Sequence, residues 1–258
     1  MASGETLPRG GPSPGAGPGP GAGHSPGARR SPGPSHRHTV TGIVVVAHGG
    51  QVSSTETTTA VQPAVLRMVP IAATIRHALR GSGTVVVRPR FGLRGWNGDQ
   101  AAPVDDLNQA LDGVAATYGP VPVVLIGHSM GARAAMRAAG HPSVYAAAGL
   151  APWLPPGEPV GQLAGRRVLV AHGTADAVTN PQDTWAYVER ARAVTQVAAI
   201  EVRDGDHPML RRARLWHAIA AEFARAALEL PAGSGAAGAG SVAAAVATIA
   251  WEPPRTVL

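Results

Sequence analysis

Between residues 40 and 230, short apolar runs alternate with longer stretches in which apolar positions recur with a helical period. The apolar runs are continuous and rich in β-branched residues, which is typical of strands buried on both faces of a sheet. Six such runs lie at about 41–47, 84–88, 121–126, 146–150, 167–171 and 196–203. The alternation predicts an α/β fold, an open and mostly parallel six-stranded sheet with helices on both faces.

Five amphipathic stretches predict the helices that connect these strands. They lie at about 63–80, 104–118, 130–139, 181–194 and 208–230. In open parallel sheets, ligands bind beyond the carboxyl ends of the strands. We therefore expect the functional residues in the loops that follow the strands.

The two ends of the chain differ from the segment between them. Residues 1–39 contain ten Gly and eight Pro with almost no aliphatic side chain, and residues 231–258 are rich in Gly and Ala. Such stretches bury too little apolar surface to offset the entropy lost on ordering. We predict a disordered tail at 1–39, one domain at 40–230 and a flexible tail at 231–258.

Charge and cysteine content exclude several classes of function. The formal net charge is +6, but residues 40–230 hold 17 Arg against 14 acidic residues, a mildly basic surface without a nucleic-acid-binding motif. The absence of Cys excludes disulfides, thiolate metal sites and a cysteine nucleophile. We expect no nucleic-acid partner, no metal and no cofactor.

Targeting signals are weak in this sequence. The apolar run at 39–47 continues into His48-Gly49-Gly50 without a small-residue cleavage site, and residues 232–250 lack large apolar side chains. We therefore expect a cytoplasmic protein without stable membrane insertion. The oligomeric state is left open.

The strongest chemical motif is Gly127-His128-Ser129-Met130-Gly131, which follows a predicted strand and opens a helix. A sharp strand-to-helix turn holds Ser129 in a strained conformation, and glycine on both sides lets the turn close. At the helix N-terminus, the backbone N–H of Met130 can face a developing oxyanion. The pattern predicts a serine nucleophile, and an ordinary turn that contains a serine is the alternative.

A serine nucleophile needs a base and an acid that orients the base. Of ten histidines, His207 alone lies in a loop after the last predicted strand and before the last helix. Asp176 follows the strand at 167–171 and precedes the helix that begins at Pro181. Asp183, Asp204 and Asp206 fit structural roles in a helix turn or a loop better. We predict Ser129, Asp176 and His207 as the catalytic triad.

The loop after the first strand, Ala47-His48-Gly49-Gly50-Gln51, fits the second oxyanion donor, because two glycines let backbone N–H groups approach a substrate. Gly50 is the first choice for this donor and Gln51 the second, and a flexible turn is the alternative. Gln51, Trp96 and Trp153 are candidate walls of the substrate pocket. Either tryptophan is equally well explained as a packed core residue.

With these residues identified, the chain resembles the α/β-hydrolase superfamily over about 41–230. The order nucleophile, acid, histidine and the His-Gly-Gly loop fall where that family has them. Many members have two additional leading strands, which residues before 40 are not expected to supply. Many also have a helical lid, for which the proline-rich segment 151–166 leaves no room. The closest resemblance is to small lidless esterases and dienelactone-hydrolase-like enzymes.

The resemblance implies a serine hydrolase that cleaves carboxylic ester or thioester bonds of a small or medium acyl substrate through an acyl-enzyme. The partner implied is a small-molecule ester. An acyltransferase that uses the same triad is an alternative. The other alternative is a non-catalytic binding protein that kept the fold.

Overall fold

The computed structural model describes residues 39–229 and 256–257. Apart from residues 39, 256 and 257, the predicted tails at 1–39 and 231–258 lie outside the described residues. Within the described part of the chain, no helix is long and apolar enough to cross a membrane.

The centre of the fold is one parallel sheet, which confirms the predicted fold class. Its strands are β1 (Gly42–Ala47), β2 (Thr84–Val87), β3 (Val123–His128), β4 (Val144–Leu150), β5 (Arg167–Gly173), β6 (Gln196–Val202) and β7 (Thr256–Val257). Their order across the sheet is β2-β1-β3-β4-β5-β6-β7. The first six are the predicted strands. The short β7, which pairs with Ile200 and Glu201 of β6, was not predicted.

Five helices pack on the two faces of the sheet: α1 (Pro63–Ala78), α2 (Ala102–Tyr118), α3 (Met130–Ala138), α4 (Pro181–Arg192) and α5 (Ala213–Ala227). The helix predicted at 208–230 begins five residues late. The carboxylate and carbonyl of Asp206 accept hydrogen bonds from the backbone N–H groups of Arg211 and Met209. These bonds hold residues 208–212 in turns, so the loop after β6 is longer than expected.

Alternate strand residues point to opposite faces and build two core layers. Val44 and Val46 of β1 pack in the layer that contains α1 and α5. Ile43 and Val45 pack in the layer that contains α2, α3 and α4. Because both faces are covered, the strands are mostly apolar, and the carboxyl edge of the sheet is left for the candidate site.

The segment 151–166 between β4 and β5 contains only the 3₁₀ helix Gly161–Leu163 and no α-helix, as its proline content predicts. Glu158, which is buried, holds this segment against α3 by accepting hydrogen bonds from Arg133 and Arg137. The segment is therefore a fixed wall beside the nucleophile turn.

Candidate active site

Ser129 occupies the strained turn between β3 and α3. Its φ of 54° and ψ of −118° lie outside the regions that L-residues ordinarily adopt. A Cβ at Gly127 would lie 2.2 Å from the carbonyl O of Gly131, and a Cβ at Gly131 would lie 2.3 Å from the carbonyl O of His48. Both positions therefore require glycine, and the turn packs directly against the loop after β1.

The three residues predicted as a triad come together at the carboxyl edge of the sheet. His207 Nε2 lies 3.0 Å from Ser129 Oγ, and His207 Nδ1 lies 2.8 Å from Asp176 Oδ2. The three side chains come from the loops after β3, β5 and β6. This arrangement permits a proton to move from the Ser129 hydroxyl to the imidazole while the carboxylate faces the other ring nitrogen.

The Asp176 carboxylate is buried and accepts hydrogen bonds on both oxygens. Oδ1 accepts from the backbone N–H groups of Val178 (2.8 Å) and Thr179 (2.9 Å), and Oδ2 accepts from Thr179 Oγ1 (2.9 Å). Burial by itself raises the pKa of this carboxyl. Hydrogen bonds from His172, His207 and the two backbone N–H groups outweigh that effect and hold the Asp176 pKa well below its ordinary value.

His172 also contacts Asp176, which the sequence did not predict. It is fully buried, with Nε2 3.1 Å from Asp176 Oδ2 and Nδ1 2.8 Å from Thr184 Oγ1. The sequence did not single out this histidine, which lies inside β5 because that strand extends two residues beyond its predicted end. In a single sequence nothing distinguishes it from an ordinary buried histidine.

His128, next to Ser129 in the chain, supports the His207 loop. Its Nε2–H donates to the carbonyl O of His207 at 2.9 Å, and its Nδ1 is buried without a hydrogen-bond partner among the described residues. Burial and, to a smaller extent, the nearby His207 lower the pKa of His128 to about 3. A neutral imidazole therefore links the nucleophile turn to the histidine loop.

His48 fixes the glycine loop after β1. Its Nδ1–H donates to the carbonyl O of Gly49 (2.7 Å), and its Nε2 accepts from the N–H of Phe91 (3.1 Å). Burial lowers the pKa of His48, which favours the neutral form that this pattern needs. Because a trans peptide directs its C=O and N–H to opposite sides, the N–H of Gly50 points away from the His48 ring.

Two backbone N–H groups near Ser129 are without an acceptor among the described residues. Met130 is the first residue of α3, where a helix leaves its N–H groups unpaired. Gly50 N–H donates to no described atom either, whereas Gln51 N–H donates to the carbonyl O of Arg94 at 2.8 Å. Gly50 and Gln51 were the two candidates for the second oxyanion donor. Among the described residues, the backbone N–H of Gly50 is unpaired and that of Gln51 is not.

A cavity of about 320 Å³ adjoins the glycine loop. Gly50 and Gln51 line it on one side, and Gln62 to Ala64, at the start of α1, line it on another. Arg94 also lines it, but its guanidinium forms an ion pair with Glu56. The cavity thus has space for a small substrate group beside the predicted oxyanion donor.

The two candidate wall tryptophans pack around an arginine. The Arg133 guanidinium lies 3.9 Å from the ring centroid of Trp96 and 4.4 Å from that of Trp153. Trp96 is 2% exposed. Of the two explanations that the sequence left open, it is therefore a packed core residue and not a wall of the pocket. Trp153 is half-buried, and its backbone N–H donates to the carbonyl O of Ser129 with an N···O distance of 3.3 Å, so it stays a candidate wall.

Solved structures with similar folds include serine hydrolases. One is an alpha-beta serine hydrolase homologue from Coxiella burnetii, with 18% identity, a TM-score of 0.54, and coverage of 70% of this chain and 84% of that one. Another is a serine hydrolase without a lid from Xanthomonas campestris, with 21% identity, a TM-score of 0.51, and coverage of 76% and 85%. At these identities the similarity concerns the fold.

A third similar structure is the esterase domain of a Rhodothermus marinus protein, with 19% identity, a TM-score of 0.52, and coverage of 76% of this chain and 90% of that one. No curated protein matches the chain in sequence. A family model for the alpha/beta hydrolase family matches residues 44–256. Because this match covers most of the chain and agrees with the observed sheet, the chain belongs to the alpha/beta hydrolase family.

Proposed function

We propose that this hydrolase cleaves carboxylic ester or thioester bonds of a small or medium acyl substrate, with Ser129, His207 and Asp176 as its triad. The observation that carries the proposal is the His207 ring, which lies within hydrogen-bonding distance of Ser129 Oγ on one side and of Asp176 Oδ2 on the other. The cavity beside Gly50, which the three triad residues do not line, offers space for a substrate group next to the proposed oxyanion donor.

In the first step, Ser129 Oγ attacks the carbonyl carbon of the ester while His207 Nε2 takes the hydroxyl proton. Asp176, held ionised by its hydrogen bonds, stabilises the imidazolium that forms. The N–H groups of Met130 and Gly50 donate to the oxyanion of the tetrahedral intermediate. As the intermediate collapses, His207 returns the proton to the leaving alcohol or thiol, and Ser129 keeps the acyl group.

In the second step, water attacks the acyl-enzyme. His207 takes a proton from that water, the same N–H groups hold the second oxyanion, and the acid product leaves as the proton returns to Ser129 Oγ. An acceptor alcohol in place of water would give acyl transfer with the same residues.

The proposal is tested by labelling the full chain with a fluorophosphonate probe and locating the modified residue by mass spectrometry. We expect the label on Ser129 in the wild type and in His77→Ala, which changes an exposed histidine on α1. We expect no label in Ser129→Ala, and labelling slowed by at least about 10³-fold in His207→Ala. Folded wild-type protein that is not labelled at Ser129 would contradict the proposal and favour a binding protein.

Hydrolysis of p-nitrophenyl esters of increasing acyl length then tests the substrate class. We expect the highest kcat/KM with short and medium chains, because the cavity beside Gly50 is of limited volume. A steady rise of kcat/KM up to long chains would contradict a small or medium acyl group.

A further inference from the structure

Two imidazoles contact one oxygen of the Asp176 carboxylate. His207 approaches Oδ2 from the loop after β6 at 2.8 Å, and His172 approaches the same oxygen from β5 at 3.1 Å. Base catalysis involves His207 only. The buried His172 therefore needs an explanation of its own.

The partners of His172 fix the direction of its hydrogen bonds. Thr184 Oγ1, in the first turn of α4, lies 2.8 Å from His172 Nδ1, and both residues are fully buried. The ionised Asp176 carboxylate can only accept, so His172 Nε2 carries a proton, and in a neutral imidazole Nδ1 then accepts from the Thr184 hydroxyl. His172 Nε2–H thus donates to Asp176 Oδ2.

His172 also differs from the other partners of Asp176 in where it is anchored. Val178 and Thr179 belong to the same surface loop as the carboxylate, and Val178 is 71% exposed. His172 instead lies inside β5, paired with Glu201 of β6. Of the hydrogen bonds that these three residues make to the Asp176 carboxylate, only the one from His172 ties it to the sheet.

We propose that His172 is a positioning residue of the triad, which holds Asp176 Oδ2 in line with His207 Nδ1 from inside the sheet. This inference rests on the proposed function, because it assigns a purpose to the carboxylate that His172 orients. Thr184 completes the arrangement by holding the His172 ring in the tautomer that donates to Asp176. A fixed carboxylate matters most when the imidazolium forms, so His172 acts on kcat rather than on substrate binding.

The chain offers a matched control on the opposite edge of the sheet. His141 Nε2 lies 3.1 Å from Asp112 Oδ1, and His141 Nδ1 lies 2.8 Å from Ser143 Oγ. These contacts repeat those of His172 in atoms and distances, at the amino end of β4. His141→Leu therefore removes contacts of the same geometry, to a carboxylate that is exposed and not buried, without touching the triad.

The test compares His172→Leu, His172→Gln and His141→Leu in the full chain, using p-nitrophenyl butyrate. We expect His172→Leu to lower kcat by about 10- to 100-fold with KM within about twofold, on the scale of a hydrogen bond to a charged group. His172→Gln, whose amide N–H can take the place of Nε2–H, should keep kcat within about threefold. His141→Leu should keep the wild-type kcat.

Two results would overturn the role of His172: unchanged kcat in His172→Leu, or equal losses of kcat in the Leu and Gln variants. If His172→Leu does not fold by circular dichroism, Thr184→Val takes its place, because it removes the partner of Nδ1 and keeps Nε2. A several-fold lower kcat in Thr184→Val then supports the proposal, and an unchanged kcat overturns it. Failure of the wild type to label at Ser129 would contradict the proposed function instead.

Discussion

The two halves of the proposed active site, one around the nucleophile Ser129 and one around the acid Asp176, are built by different physical means. The nucleophile half is held by backbone packing, in which Gly127, Gly131 and the loop that ends at Gly50 approach so closely that a Cβ would collide. The acid half is held by side-chain hydrogen bonds that converge on Asp176 from His172, Thr179 and His207. One half depends on shape and the other on the pairing of a buried charge.

This difference predicts different responses to substitution. A change in the nucleophile half acts by displacing backbone, whereas a change in the acid half leaves the backbone and alters charge or orientation. Four variants examine the contrast, beginning with the largest expected effect.

Asp176→Asn should lower kcat by about 10⁴-fold, because a neutral side chain neither stabilises the imidazolium nor fixes the tautomer of His207. Asp183→Asn, in the first turn of α4, is the control and should keep the wild-type kcat. Ester hydrolysis under saturating substrate measures both. A loss below about tenfold in Asp176→Asn would mean that the acid half does not work through charge.

Gly50→Ala should lower kcat/KM by about 10²- to 10³-fold, the scale of losing one oxyanion donor. The added Cβ would lie 2.2 Å from Met130 Cε and 2.5 Å from the carbonyl O of Arg94, so the loop must move. Gly113→Ala places a methyl group in open space on α2 and should leave kcat/KM unchanged. Equal activity of the two variants would contradict the steric description of this half.

His128→Gln examines the residue that joins the two halves. The pKa of His128 is about 3 in the folded protein and near 6.5 when unfolded, so the unfolded chain binds its proton first as the pH falls. This residue therefore costs stability as the pH drops from about 6.5 towards 3, by up to about 1.4 kcal/mol per pH unit. Gln does not titrate but keeps a donor for the His207 carbonyl.

The measurement is the free energy of unfolding of both proteins between pH 7 and pH 4.5. We expect the curve of His128→Gln to be flatter, with a difference in slope on the order of 1 kcal/mol per pH unit. Parallel curves would show that His128 titrates alike in the folded and unfolded chain, and would contradict a pKa lowered by burial.

Thr179→Val should have the smallest effect, a loss of about tenfold in kcat, because it removes one neutral hydroxyl donor from Asp176 Oδ2 and leaves the others. Thr174→Val, in the same loop, is the control, since its hydroxyl accepts from the backbone N–H of Asp204 and does not contact Asp176. A loss as large as that of Asp176→Asn would contradict the view that several donors share this carboxylate.

The same contrast explains what could be predicted from the sequence. Steric requirements produce patterns that are visible in the local sequence. Gly127 and Gly131 flank Ser129 at fixed spacing, and β-branched runs mark the buried strands. No local sequence pattern marks His172 and Thr184, because the contact between them depends on how α4 packs beside β5. The exact start of α5 was missed for a similar reason, since the turns at 208–212 depend on hydrogen bonds to Asp206.

Trp96 illustrates a different limit. Its place in a loop after a strand allowed either a pocket wall or a packed core residue, and the fold brings Arg133 of α3 against its ring. Once the guanidinium covers that ring and pairs with Glu158, the indole belongs to the core. A single sequence does not show which distant arginine meets which tryptophan.

The short β7 has a consequence for handling the protein. Residues 256–257 cover backbone groups of Ile200 and Glu201, so β6 is not fully open at that side of the sheet. A shortened chain that ends after residue 229 would expose those groups as an unpaired edge, which can recruit a strand from another molecule. Deleting the last 29 residues to shorten the chain for expression would therefore favour self-association, even though all residues of the proposed active site are retained.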